Sequence, residues 1–105
     1  MPTKLKILWT SQAQKDLKAI FDFLYKTSQS KEIAKKVVQK IKDTVNSLST
    51  ISAESGGIQT GLDSLYTYRY LVVGNYKVIY RIENQTVIIV NTIFDTRQDP
   101  SKLKV

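Results

Sequence analysis

Tyr68, Tyr70, Lys77 and Arg81 recur through the stretch from Leu65 to Leu103, which also carries Asp95-Thr96-Arg97. Cations interleaved with aromatic rings at strand spacing suit a phosphate backbone or an acidic peptide, the charge supplying attraction and the rings stacking. Proton-transfer chemistry has fewer candidates. The chain contains neither histidine nor cysteine. That removes the usual general base, the commonest metal ligand, a thiolate nucleophile and any disulfide, leaving Lys, Tyr, Asp and Glu for acid/base work. No cofactor or metal is implied. The plainer reading stands beside this one: tyrosines are good strand formers, and solvated Lys and Arg on an exposed antiparallel face are the usual arrangement.

These residues must be carried by a small unit. A chain of 105 residues with 42% hydrophobic content supports one core, so residues 1–105 are expected to form a single domain. No stretch approaches the roughly 18 to 20 continuous apolar residues of a bilayer span, and the N-terminus MPTKLKILWT turns polar too quickly for a signal peptide, so a cytoplasmic location is expected. Sixteen Lys+Arg against nine Asp+Glu give a net charge of +7, which favours a nucleic-acid or acidic-protein partner. Five of the lysines (Lys31, Lys35, Lys36, Lys40 and Lys42) fall in one helical stretch and read as a solvated helix face.

Residues 4–9 form a short strand feeding into a helix at Thr10-Ser11, where Ser11 and Gln14 have the form of a capping box. Ala13, Leu17, Ile20, Phe21 and Leu24 then recur at helical spacing to about Lys26. Ser30 caps a second helix with Ala34, Val37, Val38, Ile41, Val45 and Leu48 on one stripe, and the short break between the two implies an antiparallel hairpin. Residues 49–64, with Gly56, Gly57 and Gly61, show no period and read as a long loop. Strands follow at 66–73, 76–82 and 86–93, the first two joined by the tight turn Gly74-Asn75. The expected class is α+β, in the order β-α-α-β-β-β, with a helical hairpin packed on a mostly antiparallel sheet. Pro100 stops regular structure before a short basic tail at 101–105.

Pairing Val73 with Tyr76 across Gly74-Asn75 sets Leu71 against Val78, Arg69 against Tyr80, Tyr70 against Ile79 and Val72 against Lys77. Period two then divides the side chains. Arg69, Leu71, Val73, Tyr76, Val78, Tyr80 and Ile82, with Val87, Ile89 and Ile93 if Ile82 pairs with Val87, make the floor under the helices. Tyr68, Tyr70, Val72, Lys77, Ile79 and Arg81, with Ile88, Val90 and Thr92, make the opposite face. Arg69 falls on the core side, where a charge needs a partner, and Asp63, Asp95 or Glu54 could supply one. Asp95 reads as a turn residue, while Arg97 could serve that turn or reach the edge of the Lys77 face.

Three motifs stand in this order: Trp9-Thr10-x-x-Ala13-x-x-Asp16-Leu17, Gly74-Asn75-Tyr76-Lys77-Val78-Ile79-Tyr80-Arg81-Ile82, and Asp95-Thr96-Arg97-Gln98-Asp99-Pro100. Together with the element order, they closely resemble the RelE/ParE toxin superfamily over nearly the whole chain. The resemblance implies a type II toxin, of the kind linked to plasmid stabilization, silenced by a cognate antitoxin that wraps its surface. It offers two targets. RelE-like members cleave messenger RNA on the ribosome, and ParE-like members share the fold and poison DNA gyrase. By that likeness Lys77 falls where RelE-like toxins place an arginine, Arg97 lies near a second arginine used on phosphate, and Tyr68 and Tyr70 replace two lysines. The late tyrosine of RelE-like enzymes has no match in Lys102-Leu103-Lys104-Val105. Should the chain cut RNA, Lys77, Arg81 and Arg97 would hold the charge of the transition state. A proton acceptor is harder to find, since tyrosine and lysine titrate near pH 10. The ParE-like reading is therefore preferred, with Tyr68, Tyr70, Lys77, Arg81 and Arg97 as target-binding residues and no enzymatic activity. The alternatives are the nuclease and a degenerate, non-toxic binding module.

Overall fold

The computed structural model describes residues 5–48, 56–59 and 65–97. Pro100, the basic tail and most of the 49–64 segment lie outside the described residues. The elements are β1 (Lys6–Trp9), α1 (Ser11–Ser28), α2 (Lys31–Ser47), β2 (Gly57–Gln59), β3 (Tyr68–Val73), β4 (Tyr76–Glu83) and β5 (Val87–Asp95). They form one sheet in the order β1-β5-β4-β3-β2. β1 runs parallel to β5, and every other neighbouring pair is antiparallel. The α+β hairpin-on-sheet architecture is as expected, with one added strand. No helix among the described residues is long and apolar enough to cross a membrane.

The helices begin where side-chain oxygens can take up their free amides. Ser30 Oγ accepts from Ile33 N at 3.3 Å and starts α2. For α1 the cap is Thr10, whose Oγ1 accepts from Ala13 N at 3.1 Å, one residue earlier than the expected Ser11–Gln14 box. Gln14 instead reaches back with Nε2 to donate to Trp9 O at 3.1 Å. α1 continues two residues past Lys26 and stops at Gln29, whose φ of 55° is left-handed. Ala13 and Leu17 of α1, with Ile41 and Val45 of α2, pack on Val73, Tyr76, Val78, Val90 and Ile93 of the sheet. Leu48 continues this layer against Tyr80 and Ile88.

The β3–β4 register is the expected one, from Arg69 opposite Tyr80 to Val73 opposite Tyr76, with Gly74 at a φ of 60° in the turn. The β4–β5 register is not. Ile82 faces Ile88 and Glu83 faces Val87, one step from the expected Ile82–Val87 pair. The shift comes from a three-residue turn in which both Asn84 and Gln85 have positive φ, closed by Thr86 N donating to Glu83 O at 3.0 Å. Ile88 and Val90, rather than Val87 and Ile89, therefore face the helices, and both are fully buried. A bulge then intervenes. Tyr80 pairs with Val90 but Ile79 pairs with Thr92, so Asn91 is extra and Ile93 returns to the core side.

β2 is the second departure from expectation. Residues 57–59 of the expected loop pair antiparallel with β3, Gly57 against Tyr70 and Gln59 against Tyr68. Gly57, Ile58 and Gln59, preceded by a second glycine at Gly56, are too few to show alternation, so β-strand patterning could not find them.

Candidate functional site

The sheet face turned away from the helices carries the aromatic and basic residues. Tyr70 lies over Gly57, so closely that a Cβ there would stand 2.6 Å from its ring. Lys77, diagonal to Tyr70 on β4, holds its Nζ 4.2 Å from the Tyr70 ring centroid and donates to Gln59 Oε1 at 2.9 Å. Tyr70 and Lys77 thus pin the edge strand β2. Further along, Arg81 places its guanidinium carbon 4.2 Å from the centroid of Tyr66, and its Nη1 stands 3.6 Å from Glu83 Oε1. Tyr66 meets Tyr68 edge-on at 6.2 Å. Tyr66 is absent from the expected set although its signal was present, since Tyr66, Tyr68 and Tyr70 recur with period two. The face is not a simple wet surface, because Tyr68, Ile79 and Thr92 are all buried.

Arg97 is not brought to this group. Its Nε and Nη2 grip the Asp95 carboxylate at 3.0 and 2.8 Å, and its backbone N donates to Asp95 Oδ1 at 2.9 Å. Asp95 faces Tyr76 across the β4–β5 ladder. Arg97 also interacts with the Tyr76 hydroxyl. Tyr76 and Lys77 are successive strand residues and point to opposite faces, so Arg97 belongs to the helix side of the sheet end. Thr96 fastens the same turn to the β3–β4 hairpin, its N and Oγ1 donating to Asn75 O at 2.8 and 2.9 Å. The hydrogen bonds from Arg97 hold the Asp95 carboxyl below its ordinary value.

Arg69, on the core side as expected, donates from Nη1 to Gly56 O at 3.2 Å. Of its three anticipated acidic partners, Asp95 is gripped by Arg97, while Glu54 and Asp63 lie outside the described residues. Burial pushes up the phenols of Tyr76 and Tyr80, with Asp95 adding to the effect at Tyr76 and Arg69 opposing it at Tyr80. A raised phenol is further from serving as a base at neutral pH. Tyr76 and Tyr80 both stand on the helix side of the sheet, while the rings and cations of the far face are ordered by their contacts with one another.

Asp16 belongs to the first motif, and its role emerges only in three dimensions. β1 ends at Trp9, beside Val90, so on that edge the remainder of β5 has no strand partner among the described residues, while β4 continues to pair with it on the other. The start of α1 takes the place of β1. Thr10 N donates to Val90 O at 3.1 Å, Thr10 Oγ1 to Asn91 O at 2.8 Å, and Asp16 Oδ2 accepts from Ile93 N at 3.0 Å and from Thr92 Oγ1.

On the opposite layer, the α1–α2 hairpin bears an open groove of about 760 Å³. Trp9, Leu17, Phe21 and Val38 form its apolar part, and Gln14, Lys18, Asp22 and Lys42 its polar lining.

A family model described as the ParE toxin of the type II toxin-antitoxin system parDE matches residues 7–100. Two solved structures share the fold. One is from the chromosomal ParDE TA system of P. aeruginosa, with a TM-score of 0.73 at 23% identity over 89% of this chain and 97% of that one. The other is from the RelBE2 toxin-antitoxin complex of Mycobacterium tuberculosis, with a TM-score of 0.61 at 17% identity over 90% and 94%. No curated protein is detectably similar in sequence.

Proposed function

Since the chain belongs to the ParE toxin family of type II toxin-antitoxin systems, we propose that it acts on DNA gyrase by binding, without chemistry of its own, and is silenced by a cognate antitoxin. The observation that carries this reading over the RNA-cutting one is the dispersal of Lys77, Arg81 and Arg97. Lys77 is engaged by Tyr70 and Gln59, Arg81 by Tyr66 and Glu83, and Arg97 by Asp95 on the other side of the sheet. Stabilising a transferring phosphoryl group needs cations convergent on one point and free to meet its oxygens. Ordered rings and cations spread over a face are the makings of a protein contact.

The hairpin groove supports the antitoxin half of the proposal. An apolar channel with Lys18 and Lys42 on its walls fits an amphipathic helix whose apolar residues recur at i, i+3/i+4 and i+7 and whose flanks are acidic. The test is a supercoiling assay with purified gyrase beside a programmed-ribosome assay on the same preparation. Loss of supercoiling or accumulation of cleaved DNA, with message intact, is expected. Unimpaired supercoiling at saturating protein refutes the gyrase reading. Codon-position cleavage that Lys77→Ala abolishes would establish the nuclease instead. If induced expression without antitoxin leaves growth unimpaired, the chain is a non-toxic binding module.

A further inference from the structure

The charge of the molecule is divided between its layers in a way that the sheet site does not use. Arg69, Lys77, Arg81 and Arg97 of the sheet layer each bond or stack on a neighbour. The lysines of α2 behave differently. Lys31, Lys35, Lys36, Lys40 and Lys42 are all exposed, and none forms an ion pair with another described residue. Their placement also works against the helix. Lys31/Lys35 and Lys36/Lys40 are like charges at i, i+4, and Lys31 and Lys35 sit near the positive end of the helix dipole. The two acids of α2 offset only part of this: Glu32, in the first turn, stands four residues before Lys36, and Asp43, three residues after Lys40, accepts from Gln39 Nε2 at 2.8 Å, so five lysines face two acids. A helix that tolerates unfavourable local charge has its compensation elsewhere.

We propose that the outer face of α2 binds the phosphate backbone of duplex DNA without reading its sequence. At about 100° per residue, Lys31 and Lys35 form one row and Lys36 and Lys40 a second, on either side of the exposed crest, together spanning about 14 Å of helix axis, while Lys42 continues the first row to the groove wall. Two rows of flexible point charges match a duplex, whose phosphates line both walls of a groove wide enough to admit a helix. The composition of the face separates this partner from others. Protein interfaces are depleted in lysine and enriched in aromatics and arginine, and single-stranded nucleic acid is held by stacking. α2 has neither an arginine nor an aromatic residue. The proposal is independent of gyrase, although a toxin acting at DNA-bound enzyme would gain local concentration from it.

Fluorescence anisotropy of a labelled duplex of random sequence, titrated with the full chain at several NaCl concentrations, tests it. The expected log–log salt slope is about −3 to −5, as for four or so neutralised phosphates. Lys36→Glu and Lys6→Glu change the net charge equally, at opposite layers of the molecule. Lys36→Glu should weaken binding about fivefold or more at low salt and reduce the slope by about one, Lys6→Glu less than about twofold. Circular dichroism confirms the fold of each, and Lys36→Gln provides a milder second variant. Equal losses at both positions, no duplex binding by the native chain, tighter binding of single strands, or equal competition by polyglutamate each overturn the proposal.

Discussion

Gly56 and Gly57 are neighbours that exclude a side chain for different reasons. A Cβ at Gly57 meets the outer atoms of the Tyr70 ring at 2.6 Å, and that ring can swing aside. At Gly56 it would stand 2.2 Å from the hydroxyl of the fully buried Tyr80 and 2.7 Å from the backbone oxygen of Tyr70, neither of which can move without displacing β3 or the core. Gly56→Ala should therefore cost about 1–3 kcal/mol as overpacking, and Gly57→Ala clearly less, when both are followed by urea unfolding. Gly57→Ala should still shift the ring resonances of Tyr70, because it lifts the ring that Lys77 rests on. The Asp95–Arg97 pair yields a pH dependence. Arg97 lowers the Asp95 carboxyl below its ordinary 3.8, so this pair stabilises the fold above that pH and the contribution fades as pH falls through the depressed value. Asp95→Asn should accordingly lower the midpoint of thermal unfolding at neutral pH, with the difference from the native chain closing below about pH 3.8. The sequence makes Asp95 legible as a turn residue, because a short acceptor two residues before an amide is a local pattern. The direction taken by Arg97 is not legible, since a long side chain at a strand exit can reach either face.

Elements that depend on one chain segment were readable; those that depend on a meeting of two segments were not. Both helices follow from apolar period and capping oxygens, and the β3–β4 register follows from Gly74-Asn75 and strict alternation. β2 owes its existence to β3 and to the tyrosine that covers Gly57, so its own three residues announce nothing. The bulge at Asn91 likewise answers to α1, which takes over from β1 through Thr10 and Asp16. The junction gives a sharp test at Thr10. Its Oγ1 both caps α1 and donates to Asn91 O, so Thr10→Ala should destabilise the fold by about 1–2 kcal/mol, in the upper range for a helix cap. Thr10→Ser keeps the oxygen and should recover most of that loss in the same denaturant titration. Amide exchange at Ile93 should remain slow in both, since Asp16 holds that amide separately; fast exchange in Thr10→Ala would show that the two anchors act as one.

Across the whole molecule, the groove lies on the helical hairpin and the Tyr66–Tyr68–Tyr70–Lys77–Arg81 group on the far side of the sheet. Two surfaces separated by the core can be altered one at a time. The sequence named the sheet residues because strand alternation sorts them, but the groove is a product of packing two helices, and Trp9, Phe21 and Val38 acquire a shared role only once the hairpin closes. Phe21 is the most informative position. It forms part of the groove wall and meets Tyr25 edge-on at 6.2 Å. A central aromatic of this kind contributes about 2 kcal/mol or more to a helix-in-groove complex, equivalent to roughly thirtyfold in affinity. Phe21→Ala is thus expected to weaken antitoxin binding about thirtyfold, measured by calorimetry with the neighbouring-gene product. If gyrase is engaged through the sheet face, the same variant should inhibit supercoiling as well as the native chain does and should resist rescue by antitoxin. Tyr66→Ala with Arg81→Ala should do the reverse, binding antitoxin normally while failing on gyrase, since Tyr66 is exposed where Tyr68 is buried. Should Phe21→Ala lose gyrase inhibition and antitoxin binding together while remaining folded, target and antitoxin compete for the hairpin, and the sheet residues hold β2 rather than the target.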